Sequence, residues 1–223
     1  MSRTDEVVAG VRRMITDGEL GPGDRLPVEK DLAERLGVSR GSLREGVRAL
    51  TVLGVLDTRQ GDGTYVTSLE PRLLLEAMSF VVDLHQDDSI LEIFAVRRML
   101  EPGATALVAR EGSDEQIARI AELVDELGSD PGIEDLVAHD IAFHNRIAGA
   151  TGNAYLASLL ESLSSRTVRA RVWRGITEGG SVARTIGEHR AIVDALRRRD
   201  PELAAALMVA HVAGVEEWLR RAR

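Results

Sequence analysis

The sequence predicts a mainly α-helical chain in two parts: an N-terminal winged helix-turn-helix over residues 1–69 and a C-terminal all-helical bundle over 70–223. Three observations predict it. Apolar residues recur every three or four positions along nearly the whole chain, the period of an amphipathic helix. The period changes once, at "GVLDTRQGDGTYVTSL" (54–69), which reads as strand, Gly-rich turn, strand. Glu70-Pro71 then forms a junction, and everything beyond it keeps the helical period.

Each element follows in order. Val7, Val8, Val11, Met14 and Ile15 give a first helix over 5–17, stopped by the turn residues of "GELGPGDRLP" (18–27). Pro27 stands where a second helix begins, 28–36, with Leu32, Ala33 and Leu36 inward, and Gly37 breaks it. Ser39 caps a third, 39–53, with Leu43, Val47 and Leu50 inward. The two strands run Val55–Arg59 and Thr64–Thr67. In the second part, helices are expected at 73–85, from a capping box "SILE" (89–92) to about 111, and from "SDEQ" (113–116) to about 128. Four more follow: one after "DPG" (130–132) up to "TGN" (151–153), one over 154–174, one over 181–199, and a last one opened by "DPE" (200–202).

Composition excludes several classes. With 223 residues, 44% hydrophobic and 29% charged, the chain can build real cores in one large or two small domains. It has no cysteine, so disulfides and thiolate chemistry are out and any metal must be held by nitrogen and oxygen. A net charge of −8 argues against an unstructured nucleic-acid tail but leaves room for a local basic face. No run approaches the roughly 18 apolar residues of a membrane helix, and "MSRTDEVVAG" lacks a signal core, so a cytoplasmic protein without a membrane partner is expected.

Two constellations carry chemistry. In "SRGSLREGVRAL", Arg40, Arg44 and Arg48 fall four apart, opposite Leu43, Val47 and Leu50. A helix with one cationic and one apolar stripe can dock on its own core and enter a major groove, where arginine is suited to guanine edges and phosphates. Gly41 and Ser42 keep its N-terminal end slim. The bland alternative is a solvated arginine face; the tight turn and the wing beside it favour DNA. In the bundle, the apolar stripes of three helices each carry ionisable residues: Asp140 and His144, four apart on one face, His189, and His211. Such groups are costly in a core unless paired or metal-bound. One carboxylate and three imidazoles suit Zn²⁺, Ni²⁺ or Mn²⁺, zinc first, while a hydrogen-bonded core histidine is the alternative for each. His139 points about 100° away from Asp140, and His85 has no comparable partner. Arg97 also lies on an inward stripe, as a carboxylate clamp beside the metal or as an ion pair with Glu101 one turn on. Asn145 and Arg184 are within reach of the same region.

"GDRLPVEKDLAERLGVSRGSLREGVRALTVLGVLDTRQGDGTYV" resembles the DNA-binding domain of GntR-family bacterial transcription regulators, through "LP-x-E", "GVSR-x-x-LRE" and "Q-G-x-GT-x-V". The resemblance implies that Arg40 and Arg44 meet bases or phosphates in the major groove and that Lys30 reaches a phosphate. It also implies that Gln60 and Gly61 open a wing into the minor groove, with Gly61 and Gly63 turning the ribbon. With Ser39, Ser42 and Arg48 these residues make the expected DNA-binding set. Dimeric binding to a palindromic double-stranded operator is implied as well. Residues 72–220 resemble the FCD-type ligand-binding domain of the FadR branch, through "VRRMLEPGATALVA", "D-x-x-FH" and "EHRAIVDAL". Metal-binding members of that branch imply Asp140, His144, His189 and His211 as ligands and Arg97 as an effector contact. The chain departs in these positions from acyl-CoA-binding members, which disfavours that ligand.

The expected function is a homodimeric transcription regulator, a repressor, answering to a small carboxylate at a metal-containing pocket. The rival is the same regulator with a purely structural metal and no effector. An enzyme is disfavoured: there is no HExxH, no nucleophile–histidine pairing and no further carboxylate placed as a base.

Overall fold

The computed structural model describes residues 2–70, 89–128 and 131–222. They divide into two compact units, Met1–Val81 and Val82–Arg223. The expected helix at 73–85, with His85, and Asp130 of "DPG" lie outside the described residues.

The N-terminal unit has helices α1 (Arg3–Thr16), α2 (Glu29–Leu36) and α3 (Arg40–Val52), then strands β1 (Leu56–Arg59) and β2 (Gly63–Val66). Helix α1 opens with a capping box between Ser2 and Asp5. Helix α2 ends at Gly37, whose φ of 66° is the left-handed conformation that lets the chain turn sharply into α3. Ser39 caps α3 by accepting from the Ser42 amide at 3.1 Å. The strands pair antiparallel with Leu56 opposite Val66 and Arg59 opposite Gly63. One apolar cluster joins these elements, with Val7, Val11, Met14, Leu32, Leu43, Leu50, Leu56 and Val66 all buried. Each such side chain contributes about 1.5–3 kcal/mol by burial, so the arginine stripe of α3 stands on a fixed base.

In the C-terminal unit the described helices are α4 (Ser89–Glu111), α5 (Asp114–Glu126), α6 (Ile133–Ala150), α7 (Ala154–Arg166), α8 (Val168–Thr177), α9 (Ser181–Arg197) and α10 (Pro201–Ala222). Phe94, Ile120, Phe143, Ile192, Leu196 and Met208 form the centre of the core. The box at Ser113 and Gln116 caps α5 as expected, whereas the Ser89 side chain of "SILE" lies outside the described residues.

Two expectations need correction. The helix expected over 154–174 is two helices, broken at Thr167 (φ −91°, ψ 0°). No Gly or Pro marks the break. The Thr167 hydroxyl bonds back to the Ser164 carbonyl at 2.8 Å and accepts from Arg97 Nη1 at 3.2 Å, so side-chain hydrogen bonds take over from the helical ladder. The apolar stripe of the last helix reads from the sequence as Leu203, Leu207, His211, Val215 and Trp218, but Leu203 is exposed and Ala204 and Met208 are buried instead. Both are one residue on, which moves the stripe by about 100° at its start.

Candidate metal centre and nucleic-acid interface

Helices α6, α9 and α10 bring Asp140, His144, His189 and His211 together, all buried, with their donor atoms within 4.8 Å of one another. Asp140 Oδ1 is the common point. It lies 3.0 Å from His189 Nε2, 3.4 Å from His211 Nε2 and 3.6 Å from His144 Nε2, and the last two nitrogens are 3.2 Å apart. Donor atoms held at about 2.1 Å from one ion sit roughly 3.0 Å apart at right angles and 3.4 Å apart in a tetrahedron. The spacing therefore fits a shared divalent ion.

An outer layer supports the fit. His144 Nδ1 meets Glu101 Oε2 at 2.6 Å, and His211 Nδ1 meets Glu188 Oε2 at 2.7 Å. The Glu188 contact is a hydrogen bond and fixes the His211 tautomer that offers the Nε2 lone pair, the usual support of a metal-binding imidazole, while Glu101 faces His144 as a close charge contact. His189 Nδ1 is buried with no partner among the described residues, while its ring stacks on Phe143 at 4.0 Å. His139 is outside the donor set, with Nε2 on the Leu123 carbonyl at 2.9 Å and its ring 5.5 Å from that of His189.

Electrostatics follow from burial and neighbours. Burial alone would raise Asp140, but Arg171 and the imidazoles outweigh it and hold it well below the carboxylate range. Burial likewise acts to raise Glu101, and His144 and Arg97 reverse it, leaving that carboxyl well below its usual range too. Burial drives His189 down to about 3 despite its bond to Asp140. For His211 burial acts the same way, yet Asp140 and Glu188 win and lift it to about 9.

Arg97 is 1% exposed, with Nε on Glu101 Oε1 at 2.5 Å and Nη1 on Thr167. That is the ion pair weighed against the clamp. The arginines bordering the cluster are Arg171 and Arg174 of α8. Arg171 Nη1 stands 2.6 Å from Asp140 Oδ2, and burial brings its guanidinium down to about 10. Sequence reasoning missed both, because the break at Thr167 resets the helical phase that would have placed them. Their one signal is the spacing of three in "RARVWR". The small cavity lined by Asp140, Arg171, Arg174 and His211 is about 30 Å³.

In the N-terminal unit, Lys30, Ser39, Arg40, Arg44, Arg48, Gln60 and Gly61 are exposed, with Ser42 and Gly63 half-buried. Ser39 and Ser42 act as the α3 cap. Arg44 forms a bidentate contact at 2.9–3.1 Å with Glu29, the glutamate of "LP-x-E". A groove of about 810 Å³ runs between α3 and the wing, bordered by Arg44, Arg48, Gln60 and Gly61. Gly61 turns the ribbon with φ 76°. Gly63 admits Arg25, whose Nε would lie 2.5 Å from any Cβ there, and Arg25 also bonds the Asp62 carbonyl. Arg25 thus pins the wing, a role no spacing signalled.

Comparison with known proteins gives consistent matches. The model of the gntR family of bacterial regulatory proteins matches residues 3–66, and the FCD domain model matches 92–214. The chain is 33% identical over 212 residues to the HTH-type transcriptional regulator LutR of Bacillus subtilis (strain 168), covering 92% of this chain and 96% of the relative. It is 27% identical over 222 residues to the Galactonate operon transcriptional repressor of Escherichia coli (strain K12), covering 94% and 95%. A solved structure, Streptococcus agalactiae GntR, superposes with a TM-score of 0.72 at 28% identity, covering 96% of this chain and 99% of that one.

Proposed function

The chain belongs to the gntR family of bacterial regulatory proteins, DNA-binding regulators here joined to an FCD domain, and on that premise we propose that it is an operator-binding repressor, dimeric and of the FadR branch, whose bundle holds a divalent metal at Asp140, His144, His189 and His211. Its architecture is that of a transcription regulator and not of a catalytic fold. No described helix is long and apolar enough to cross a membrane. The observation that carries the metal assignment is the convergence of four buried donors on one point, two of them braced by carboxylates. The N/O donor set favours zinc, which would act as a Lewis-acidic centre able to order the three helices and to hold an anion. The DNA-binding set is Lys30, Ser39, Arg40, Ser42, Arg44, Arg48, Gln60, Gly61 and Gly63.

Elemental analysis of the purified protein tests the metal. His189→Ala is expected to lower its content severalfold, and full occupancy in that variant would remove His189 from the set. Titration gives a second check. The raised His211 stabilises the metal-free fold fully below pH 6.5, and that contribution is lost as pH rises through about 9. Metal requires the neutral ring, so the destabilisation caused by a chelator should grow between pH 6.5 and 9, and metal should dissociate on acidification. A chelator effect flat across that window counts against His211 as a ligand.

Arg44→Ala tests the DNA face. It is expected to weaken operator binding about tenfold and to reduce the salt slope by about one, with the fold intact. Unchanged binding would overturn the docking of α3 in the groove.

Two roles for the metal remain distinct. The small size of the cavity and the engagement of Arg97 with Glu101 favour a structural pin in the conformation described. A sensor that binds a small carboxylate is favoured by the buried arginines beside the cluster and by the relative named for the galactonate operon. Thermal unfolding with a carboxylate panel, metal-loaded and chelated, separates them: a shift only in the loaded sample means a sensor.

A further inference from the structure

The wing carries a cation that lies outside the DNA-binding set of α3 and the ribbon tip. Residues 23–26 run alongside β2 as a third extended segment. The Gly23 amide donates to the Val66 carbonyl at 2.9 Å, Val66 donates to Asp24 at 2.8 Å, and Leu26 donates to Thr64 at 2.8 Å. Arg25 pairs with Tyr65 in this ladder. Paired residues share a face of a sheet, and side chains alternate along each strand. Leu26 accordingly turns into the core with Leu56 and Val66, while Arg25 falls on the outer face with Tyr65, Gly63 and Arg59. The missing Cβ of Gly63 lets the Arg25 side chain cross the ribbon, and Nη2 donates to the Asp62 carbonyl. The guanidinium is thereby held beside the tip formed by Gln60, Gly61 and Asp62.

Charge separates Arg25 from its neighbours. Arg44 is matched by Glu29, and Arg59 by Asp57 at 3.2 Å, with Arg59 also over the Tyr65 ring at 4.3 Å. Asp62 accepts from the Tyr65 hydroxyl at 2.9 Å. Arg25 has no carboxylate in ion-pair distance among the described residues; its side chain is held by a neutral carbonyl. It is exposed at the border of the groove between α3 and the wing. A planar cation with open N–H donors and no counter-charge suits a phosphate. A ribbon tip in a minor groove is bordered by the phosphates of both strands, so a cation fixed beside the tip meets the backbone.

We propose that Arg25 contacts DNA, binding a backbone phosphate at the edge of the minor groove that the wing enters. This rests on the docking of α3 and the wing proposed above. The Asp62 carbonyl orders the guanidinium before DNA arrives, which lowers the entropic cost of the contact. Gly63 serves the same end, since a side chain there would displace the guanidinium.

The test uses the full-length protein, a duplex that the wild type selects from a random-sequence pool, and a scrambled duplex of equal length. Affinity is read by fluorescence anisotropy across a salt series, beside the unfolding midpoint. Arg25→Met is expected to weaken both duplexes alike, about tenfold, and to lower the salt slope by about one per bound subunit. Arg25→Lys keeps a charge that binds phosphate, so it should restore the slope and most of the affinity. A residue that only pins the wing gives another pattern: Arg25→Met loses the selected duplex but keeps the slope, and Arg25→Lys does not rescue it. That pattern, or wild-type affinity and slope in Arg25→Met, would overturn the phosphate contact. Arg44→Ala is measured in parallel. If it weakens binding and Arg25→Met does not, the Arg25 contact alone falls; if neither variant weakens binding, the docking of α3 falls with it.

Discussion

Asp140→Ala should abolish metal binding and lower the stability of the helical domain by about 3–5 kcal/mol, the usual cost of stranding one partner of a buried ion pair. The variant removes the oxygen shared by three imidazoles and leaves the Arg171 guanidinium enclosed without its carboxylate. In a domain of this size that loss lowers the unfolding midpoint by roughly 10 °C or more. Chelation of the wild type separates the two contributions, because it removes the ion while leaving Arg171 on Asp140. The expected order of midpoints is loaded wild type, chelated wild type, then Asp140→Ala, with the variant indifferent to both zinc and chelator. A variant that keeps its zinc and its sensitivity to chelator would show that the ion is held elsewhere.

Asp140, His144 and His189 were legible in the sequence because each lies on a helix whose apolar stripe runs uninterrupted, and His211 because the stripe of α10 is in phase by that point. Val137, His144 and Ile147 flank Asp140 on α6, and Ile186, Ile192 and Val193 flank His189 on α9, so a period of 3.6 was enough to face them inward. The recognition helix was legible for the same reason, with Arg40, Arg44 and Arg48 opposite Leu43 and Leu50. What surrounds the donors was not. Glu188 is half-buried and adjacent to His189, on a different face, and serves His211 from another helix. Periodicity within one helix cannot show such a contact. Arg171 sits beyond a break made by the hydroxyl of Thr167 and the guanidinium of Arg97, two groups 70 positions apart. Arg25 reaches the wing across 37 positions. Local pattern locates the face a residue shows, and tertiary partners decide what that face is used for.

Arg97 is the residue for which pattern and packing part most clearly, and its replacement is a decisive second experiment. If it acts as the ion pair seen here, Arg97→Met strips Glu101 of its contacting guanidinium, leaving His144 in direct contact and Arg171 further off, and removes a donor from the Thr167 break. The expected cost is about 3–5 kcal/mol. Replacing both partners is expected to cost much less, since an apolar side chain and a neutral amide leave no uncompensated charge. The double variant Arg97→Met/Glu101→Gln should therefore recover most of the midpoint lost by the single one, giving a strong interaction in the mutant cycle. The introduced amide oxygen would still accept from His144 Nδ1, so zinc binding should weaken without vanishing. The clamp role makes the opposite forecast: Arg97→Met unfolds like wild type, keeps its zinc, and loses only the midpoint shift produced by carboxylates. The cycle thus tells whether Arg97 holds the wall of the site or the ligand within it, and a carboxylate response that survives in the double variant would pass the anion-binding role to Arg171.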